Sequence, residues 1–191
     1  MAEGPAFYFD LGSPEAYLAA ERVLQTMPVA TEWIPVLARD LPGAETFDSF
    51  RCAEERDIVL GGFRDAAARR GLQPLRWPDP FPFDSSLAMH AATYAKQIGR
   101  TVPFALAAFR QAFAGGRALD ADAVLIAAAA CEMHPAAVLK AIELRSVKDE
   151  LARRTADAAA AGVRDVPAVR VGAAVFHGDA ALPGAARAAA A

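Results

Sequence analysis

Residues 6–24 read Ala-Phe-Tyr-Phe-Asp-Leu-Gly-Ser-Pro-Glu-Ala-Tyr-Leu-Ala-Ala-Glu-Arg-Val-Leu and leave little choice of local structure. The run from Ala6 to Phe9 is apolar and aromatic throughout, as a strand buried on both faces would be. Leu11-Gly12 makes a tight turn. Ser13 stands where a helix N-cap belongs, and Pro14 takes the first helical position, where its missing N–H costs nothing. Tyr17, Leu18, Val23 and Leu24 give that helix an apolar stripe, with Glu15, Glu21 and Arg22 off it. The chain thus opens with a strand, a sharp turn and a helix. A hydroxyl sits at the helix N-terminus, where backbone N–H groups and the positive end of the helix dipole attract an anion.

Residues 29–36 alternate well enough for a second strand. With the first strand and helix they make a βαβ unit, which implies a parallel pair. Pro35 marks either an edge position or the strand's end. Residues 47–70 can be helical, with Phe50, Ile58, Leu60 and Phe63 as candidate core residues and Gly61-Gly62 as an interruption. Gly71 is a natural stop. Pro74, Pro78, Pro80 and Pro82 then forbid helix and favour an ordered surface loop, pinned by Trp77, Phe81 and Phe83. Asp84-Ser-Ser opens a helix that Gly99 closes. Residues 104–113 form another, with Phe109 and Phe113 on one face. Asp120 caps a helix over 124–131, His134-Pro135 starts a short one, and Ser146 caps one in which Leu151, Thr155 and Ala158 share a face. Gly162 stops that helix. Strand signals return at 166–171 and 173–176, a hairpin turning at Gly172. An Ala-rich helix ends the chain.

Composition agrees with a helix-rich, well-cored protein: 191 residues, 54% hydrophobic, much of it alanine. The formal net charge of −3 offers no basic excess for nucleic acid or an anionic membrane. The N-terminus lacks a secretory pattern and no apolar run is long enough to span a bilayer, so a cytoplasmic protein is expected. Cys52 and Cys131 are far apart and form no Cys-x-x-Cys pair, which predicts two free thiols. The scattered His90, His134 and His177 make no metal motif, so no metal is expected.

Without the helical block, the order is β-α-β-α-β-β-α. That is the order of a thioredoxin fold with a helical domain inserted after the second strand. The boundaries follow: 1–42 and 144–191 form the two thioredoxin-fold parts, and 43–143 the inserted helical domain. In that fold the functional centre is the N-terminus of the first helix, here Ser13, faced by a proline at the start of the third strand, here Pro167. Redox members carry Cys-x-x-Cys at that helix; Ser13-Pro-Glu-Ala16 cannot exchange disulfides.

The opening motif resembles that of 2-hydroxychromene-2-carboxylate isomerases and kappa-class glutathione transferases, within the DsbA-like group. Gly162-Val163-Arg-Asp-Val166-Pro167 resembles that family's Gly-Val-x-Gly-Val-Pro, and Phe176-His-Gly178-Asp179 its Phe-Trp-Gly-x-Asp-Arg. The resemblance implies a glutathione-dependent isomerase working by reversible thiolate addition to a small aromatic-derived unsaturated acid, and dimers are common in the family. It implies that Ser13 donates to the glutathione sulfur. It implies also that the Val166 backbone, held by a cis bond to Pro167, pairs with the glutathione peptide, and that Asp179 belongs to the same cofactor site. The chain departs from the pattern at Asp165, Ala168, Ala180 and Ala181. The alternatives are a kappa-class-like transferase, a non-catalytic thioredoxin-fold binding protein, and a disulfide exchanger using Cys52 or Cys131.

Overall fold

A computed structural model describes residues 4–43 and 52–191. Strand β1 (Ala6–Phe9) leads through the turn at Gly12 into helix α1 (Pro14–Thr26), and β2 (Glu32–Pro35) follows. Helices α2 (Ala53–Arg69), α3 (Ser86–Gln97), α4 (Thr101–Phe113), α5 (Ala121–Ala129) and α6 (Pro135–Glu143) come next, then the long α7 (Arg145–Ala160). The hairpin of β3 (Ala168–Val171) and β4 (Ala174–His177) precedes α8 (Leu182–Ala190). The sheet runs β2-β1-β3-β4. β1 pairs parallel with β2, Phe7 opposite Trp33, and antiparallel with β3, Tyr8 opposite Ala168. This is the thioredoxin arrangement, with helices inserted after the second strand.

The apolar run of β1 is explained by burial on both of its faces. Phe7 and Phe9 point one way, into the larger core; Ala6 and Tyr8 point the other way, toward Ala158 of α7 and Val166. Trp33 meets Phe7 edge-on at 4.9 Å between ring centroids. Phe9 lies 6.0 Å from Phe109, and Tyr17 5.8 Å from Phe113, so α4 packs directly on β1 and α1. The inserted helices and the sheet therefore share one aromatic core. On the opposite face, the buried Thr155 hydroxyl donates to Leu151 O at 2.9 Å and accepts from Leu37 N at 3.0 Å, tying α7 to the chain that leaves β2.

Several local expectations are refined. The second strand is shorter than 29–36 and Pro35 is its last residue, on an edge strand that tolerates a missing N–H. The helix expected over 47–70 begins at Ala53, and Phe50 lies outside the described residues. Gly61 and Gly62 do not interrupt it: both are helical, in open space. Leu60 is buried there, but Ile58 is 74% exposed, because Leu60 and Ala67, seven apart, define the inward face. Leu24 is likewise exposed rather than part of the buried stripe of α1. Asp120 accepts from Ala123 N at 2.8 Å, one turn earlier than the helix start expected there. Ser146 and His134 make no capping bond; Ser146 already lies inside α7, which follows α6 after Leu144 alone. Two prolyl bonds of the connector, Asp79–Pro80 and Phe81–Pro82, are cis, as is Val166–Pro167.

The shared aromatic core predicts where truncation will hurt. Phe9→Ala should cost about 3–5 kcal/mol of unfolding free energy, whereas Ile58→Ala should stay within about 0.5 kcal/mol. Chemical denaturation followed by circular dichroism checks both, and equal costs would contradict the assignment of faces.

Candidate functional site

The site begins with a carboxylate that the sequence reading passed over. Asp10 follows β1 directly and is buried. Its Oδ1 accepts from Gly12 N at 2.8 Å and its Oδ2 accepts from Ala38 N at 2.8 Å, so one side chain fixes both the turn before α1 and the chain after β2. Burial pushes the Asp10 carboxyl above its ordinary value of 3.8, against the lowering pull of hydrogen bonds from Ala38, Gly12 and Ser85. A β-carbon on Gly12 would meet Ser85 Cβ at 3.2 Å and Asp10 Oδ1 at 3.4 Å, which accounts for glycine at that point. The signal was available in the sequence: an acid wedged between an apolar strand and a Gly-Ser-Pro turn has backbone N–H groups nearby to hold.

Held by that turn, Ser13 donates its backbone N–H to Asp10 O at 3.1 Å and caps α1, its Oγ accepting from Ala16 N at 3.1 Å. The capping bond uses an oxygen lone pair and leaves the hydroxyl hydrogen to turn toward an acceptor. Ser13 is half-buried, so an anion reaching it meets a donor and the positive end of α1 in partly dry surroundings.

The antiparallel register sets Ala168, the first residue of β3, opposite Tyr8, one residue before the end of β1. The cis Val166–Pro167 segment therefore flanks the end of β1 from which the Ser13 turn departs. Pro167 O accepts from Gly178 N at 2.8 Å, and the next residue, Asp179, donates its N–H to Glu15 Oε1 at 3.0 Å. Glu15 belongs to the first turn of α1, so one short chain of hydrogen bonds joins Pro167, Gly178, Asp179 and the helix that Ser13 caps. Gly178 has φ of 80°, and a β-carbon there would lie 3.1 Å from Glu15 Oε1. His177 accepts from Arg164 N at 3.0 Å through Nε2, steadying the strand's approach to Asp165.

The buried Asp179 carboxylate holds two arginines, Arg22 of α1 at 3.0 Å and Arg70 at the end of α2. Arg70 thus connects the inserted helices to the site. Cys131 is buried and its thiol is pushed up by burial, the opposite of an activated thiolate, while Cys52 is exposed just before α2. Among the described residues no group of His, Cys, Asp and Glu is arranged to hold a metal, and no helix is long and apolar enough to cross a membrane. A groove of about 360 Å³ lies elsewhere, lined by Tyr8, Arg153, Arg154, Asp157 and Arg170. None of Ser13, Val166, Pro167 or Asp179 lines it, and Arg153 and Arg154 are spent on Glu150 and Asp157.

The profile of the DSBA-like thioredoxin domain matches residues 6–190. The chain belongs to that family. No curated protein sequence matches it. Among solved structures, a 2-hydroxychromene-2-carboxylate isomerase superposes with a TM-score of 0.82 at 17% identity, covering 94% of this chain and 91% of the other. A probable DsbA oxidoreductase from Streptomyces coelicolor gives 0.75 at 19% identity, covering 97% and 88%. The cytosolic disulfide reductase DsbM from Pseudomonas aeruginosa, solved with glutathione, gives 0.60 at 12% identity, covering 98% and 96%. At these identities the likeness is one of fold.

Glutathione, the group that the sequence resemblance implies, meets this site unevenly. The Ser13 hydroxyl and the α1 N-terminus suit a thiolate. The Val166 N–H already donates to Asp165 Oδ1 at 2.7 Å, and both oxygens of Asp179 already hold guanidinium groups. A thiol group would thus find a donor at Ser13, while the Val166 N–H and the Asp179 carboxylate are engaged by the protein's own groups.

Two predictions follow from these contacts. Asp179→Ala leaves Arg22 and Arg70 uncompensated and should cost about 3 kcal/mol; a loss below about 1 kcal/mol in urea unfolding would show that the ion pairs are solvent-screened. Asp10, with a raised folded value, holds its proton more tightly folded than unfolded. That contribution is full below 3.8 and is lost as pH rises through the higher folded value. Wild-type stability should therefore fall relative to Asp10→Asn as pH rises from acid to neutral, and parallel stability curves for the two would contradict it.

Proposed function

We propose that this DsbA-like protein is a cytoplasmic, glutathione-dependent isomerase of the 2-hydroxychromene-2-carboxylate type, acting on a small aromatic-derived unsaturated acid. One observation carries the reading. In a thioredoxin fold, the helix N-terminus that would bear a redox cysteine bears Ser13, oriented as a cap with its O–H still able to donate. A serine there cannot take part in disulfide exchange, but it can stabilise a thiolate that a ligand brings. The isomerase that superposes over nearly the whole chain supports the same choice of chemistry.

Glutathione, when bound, would supply a thiolate nucleophile that adds to a conjugated double bond and leaves once the resulting single bond has rotated. The protein's part is positional and electrostatic. Ser13 Oγ, held by Ala16 N–H, presents its hydroxyl hydrogen at the mouth of the helix. The α1 dipole favours negative charge at the same place. Asp10 keeps the turn from relaxing by binding Gly12 and Ala38 together. Arg22 and Arg70 neutralise Asp179, so that its charge does not oppose an anion near the first turn of α1. A second reading, a thioredoxin-fold binding protein without catalysis, is favoured by the internal occupation of the Val166 N–H.

Turnover of 2-hydroxychromene-2-carboxylate with glutathione, by wild type and Ser13→Ala, separates the two. The account expects wild-type activity and a loss of about 100-fold or more in kcat/KM for the variant, from removal of a preorganised donor to developing charge. Stability should fall by only about 1 kcal/mol, from the lost cap. A wild type without turnover would favour the binding protein, and an unimpaired variant would remove Ser13 from the chemistry.

A further inference from the structure

We infer that Asp165 sets which thiols this site accepts, because its own carboxylate occupies the backbone donor that an extended thiol peptide would need. The inference rests on the reading of Ser13 as a thiolate site. Proline has no N–H, so across residues 166 and 167 the only backbone donor is that of Val166. A peptide ligand that adds alongside this strand end and offers its carbonyl there has that N–H as its backbone donor. Here the N–H donates instead to Asp165 Oδ1 at 2.7 Å. The neighbouring Pro167 carbonyl is engaged as well, by Gly178 N at 2.8 Å. The Val166 N–H and the Pro167 carbonyl are thus both engaged by the chain's own groups.

Two consequences follow for a ligand such as glutathione. Its peptide carbonyl must displace the Asp165 carboxylate to reach Val166. The carboxylate then stands beside a ligand that carries carboxylates of its own, and like charges in partly buried surroundings repel. A small thiol that bears no peptide needs neither the N–H nor the room, and reaches the Ser13 end without displacing Asp165. The site therefore holds a peptide thiol such as glutathione less tightly than it would with no carboxylate at 165, and is indifferent to Asp165 when the thiol is small and uncharged. The Asp165→Asn side chain can still accept from Val166 N–H through its amide oxygen, without the charge, so it separates the hydrogen bond from the repulsion.

The test is calorimetric titration of wild type, Asp165→Ala, Asp165→Asn and Ser13→Ala with reduced glutathione and, separately, with 2-mercaptoethanol. Removing a charged internal competitor should tighten glutathione binding by about tenfold in Asp165→Ala, with Asp165→Asn between it and wild type, and leave 2-mercaptoethanol unchanged. Amide exchange at Val166, measured by NMR without any ligand, should be faster in Asp165→Ala than in wild type and Asp165→Asn. Glutathione binding that appears only in Asp165→Ala also supports the inference. If wild type binds glutathione in a Ser13-dependent way and Asp165→Ala binds it no tighter, the role of Asp165 is overturned while the thiolate site stands. If neither binds glutathione, the role of Asp165 falls, and the thiolate site falls with it when 2-mercaptoethanol shows no Ser13-dependent binding either. An equal gain for 2-mercaptoethanol would overturn the strand-donor argument, since that ligand has no use for Val166.

Discussion

The Asp10 carboxylate, shared between Gly12 N–H and Ala38 N–H, is the contact on which the rest of the site depends. It joins the exits of two parallel strands, one leading to Ser13 and the other into the inserted helices. Without it, the Gly12 and Ala38 N–H groups would have to find other partners, and the turn that the Ser13 N–H to Asp10 O bond closes would lose its side-chain support. A buried carboxyl raised by desolvation is an uneasy anchor, kept in place by directed hydrogen bonds. The site gains precision from a group that ionises reluctantly.

That turn is rigid because of what lies beneath it. Phe9, Trp33 and Phe109 bring β1, β2 and α4 into one aromatic cluster, so the inserted helices support the sheet as part of its core. Arg70 repeats the connection at the surface, running from the end of α2 to Asp179. The helical insertion and the sheet that carries Ser13 are therefore joined through both apolar packing and a partly buried ion pair.

Much of this was legible in the chain. The run Phe7-Tyr-Phe followed by Gly-Ser-Pro determines strand, turn and helix by local chemistry alone, and Gly71, Gly99, Gly162 and Gly172 end or turn their elements with positive φ, where glycine is favoured. What could not be read there depends on tertiary contacts. Ile58 and Leu24 are apolar by composition and exposed by geometry, because the buried face of a helix is chosen by what packs against it. Ser146 has capping chemistry but lies inside α7, because α7 follows α6 after Leu144 alone, and His134 occupies the N-cap of α6 without its side chain making a capping bond. Asp10 and Asp165 have roles only once their partners, an amide after β2 and the next residue's own N–H, are placed. Asp179 was picked out by its motif, but its two arginines, Arg22 and Arg70, both lie more than a hundred residues away in the chain.

The account turns on one claim, that the end of α1 stabilises the thiolate of a bound thiol through Ser13. The most direct measurement is the ultraviolet thiolate absorbance of glutathione titrated with wild type and with Ser13→Ala, across a pH range below the thiol's own pKa. The account predicts that thiolate absorbance grows on binding to wild type at pH values where the unbound thiol is protonated, and that Ser13→Ala shifts its appearance to higher pH. Thiolate formation at the same pH with both proteins, or none with wild type under conditions where glutathione is bound, would contradict it.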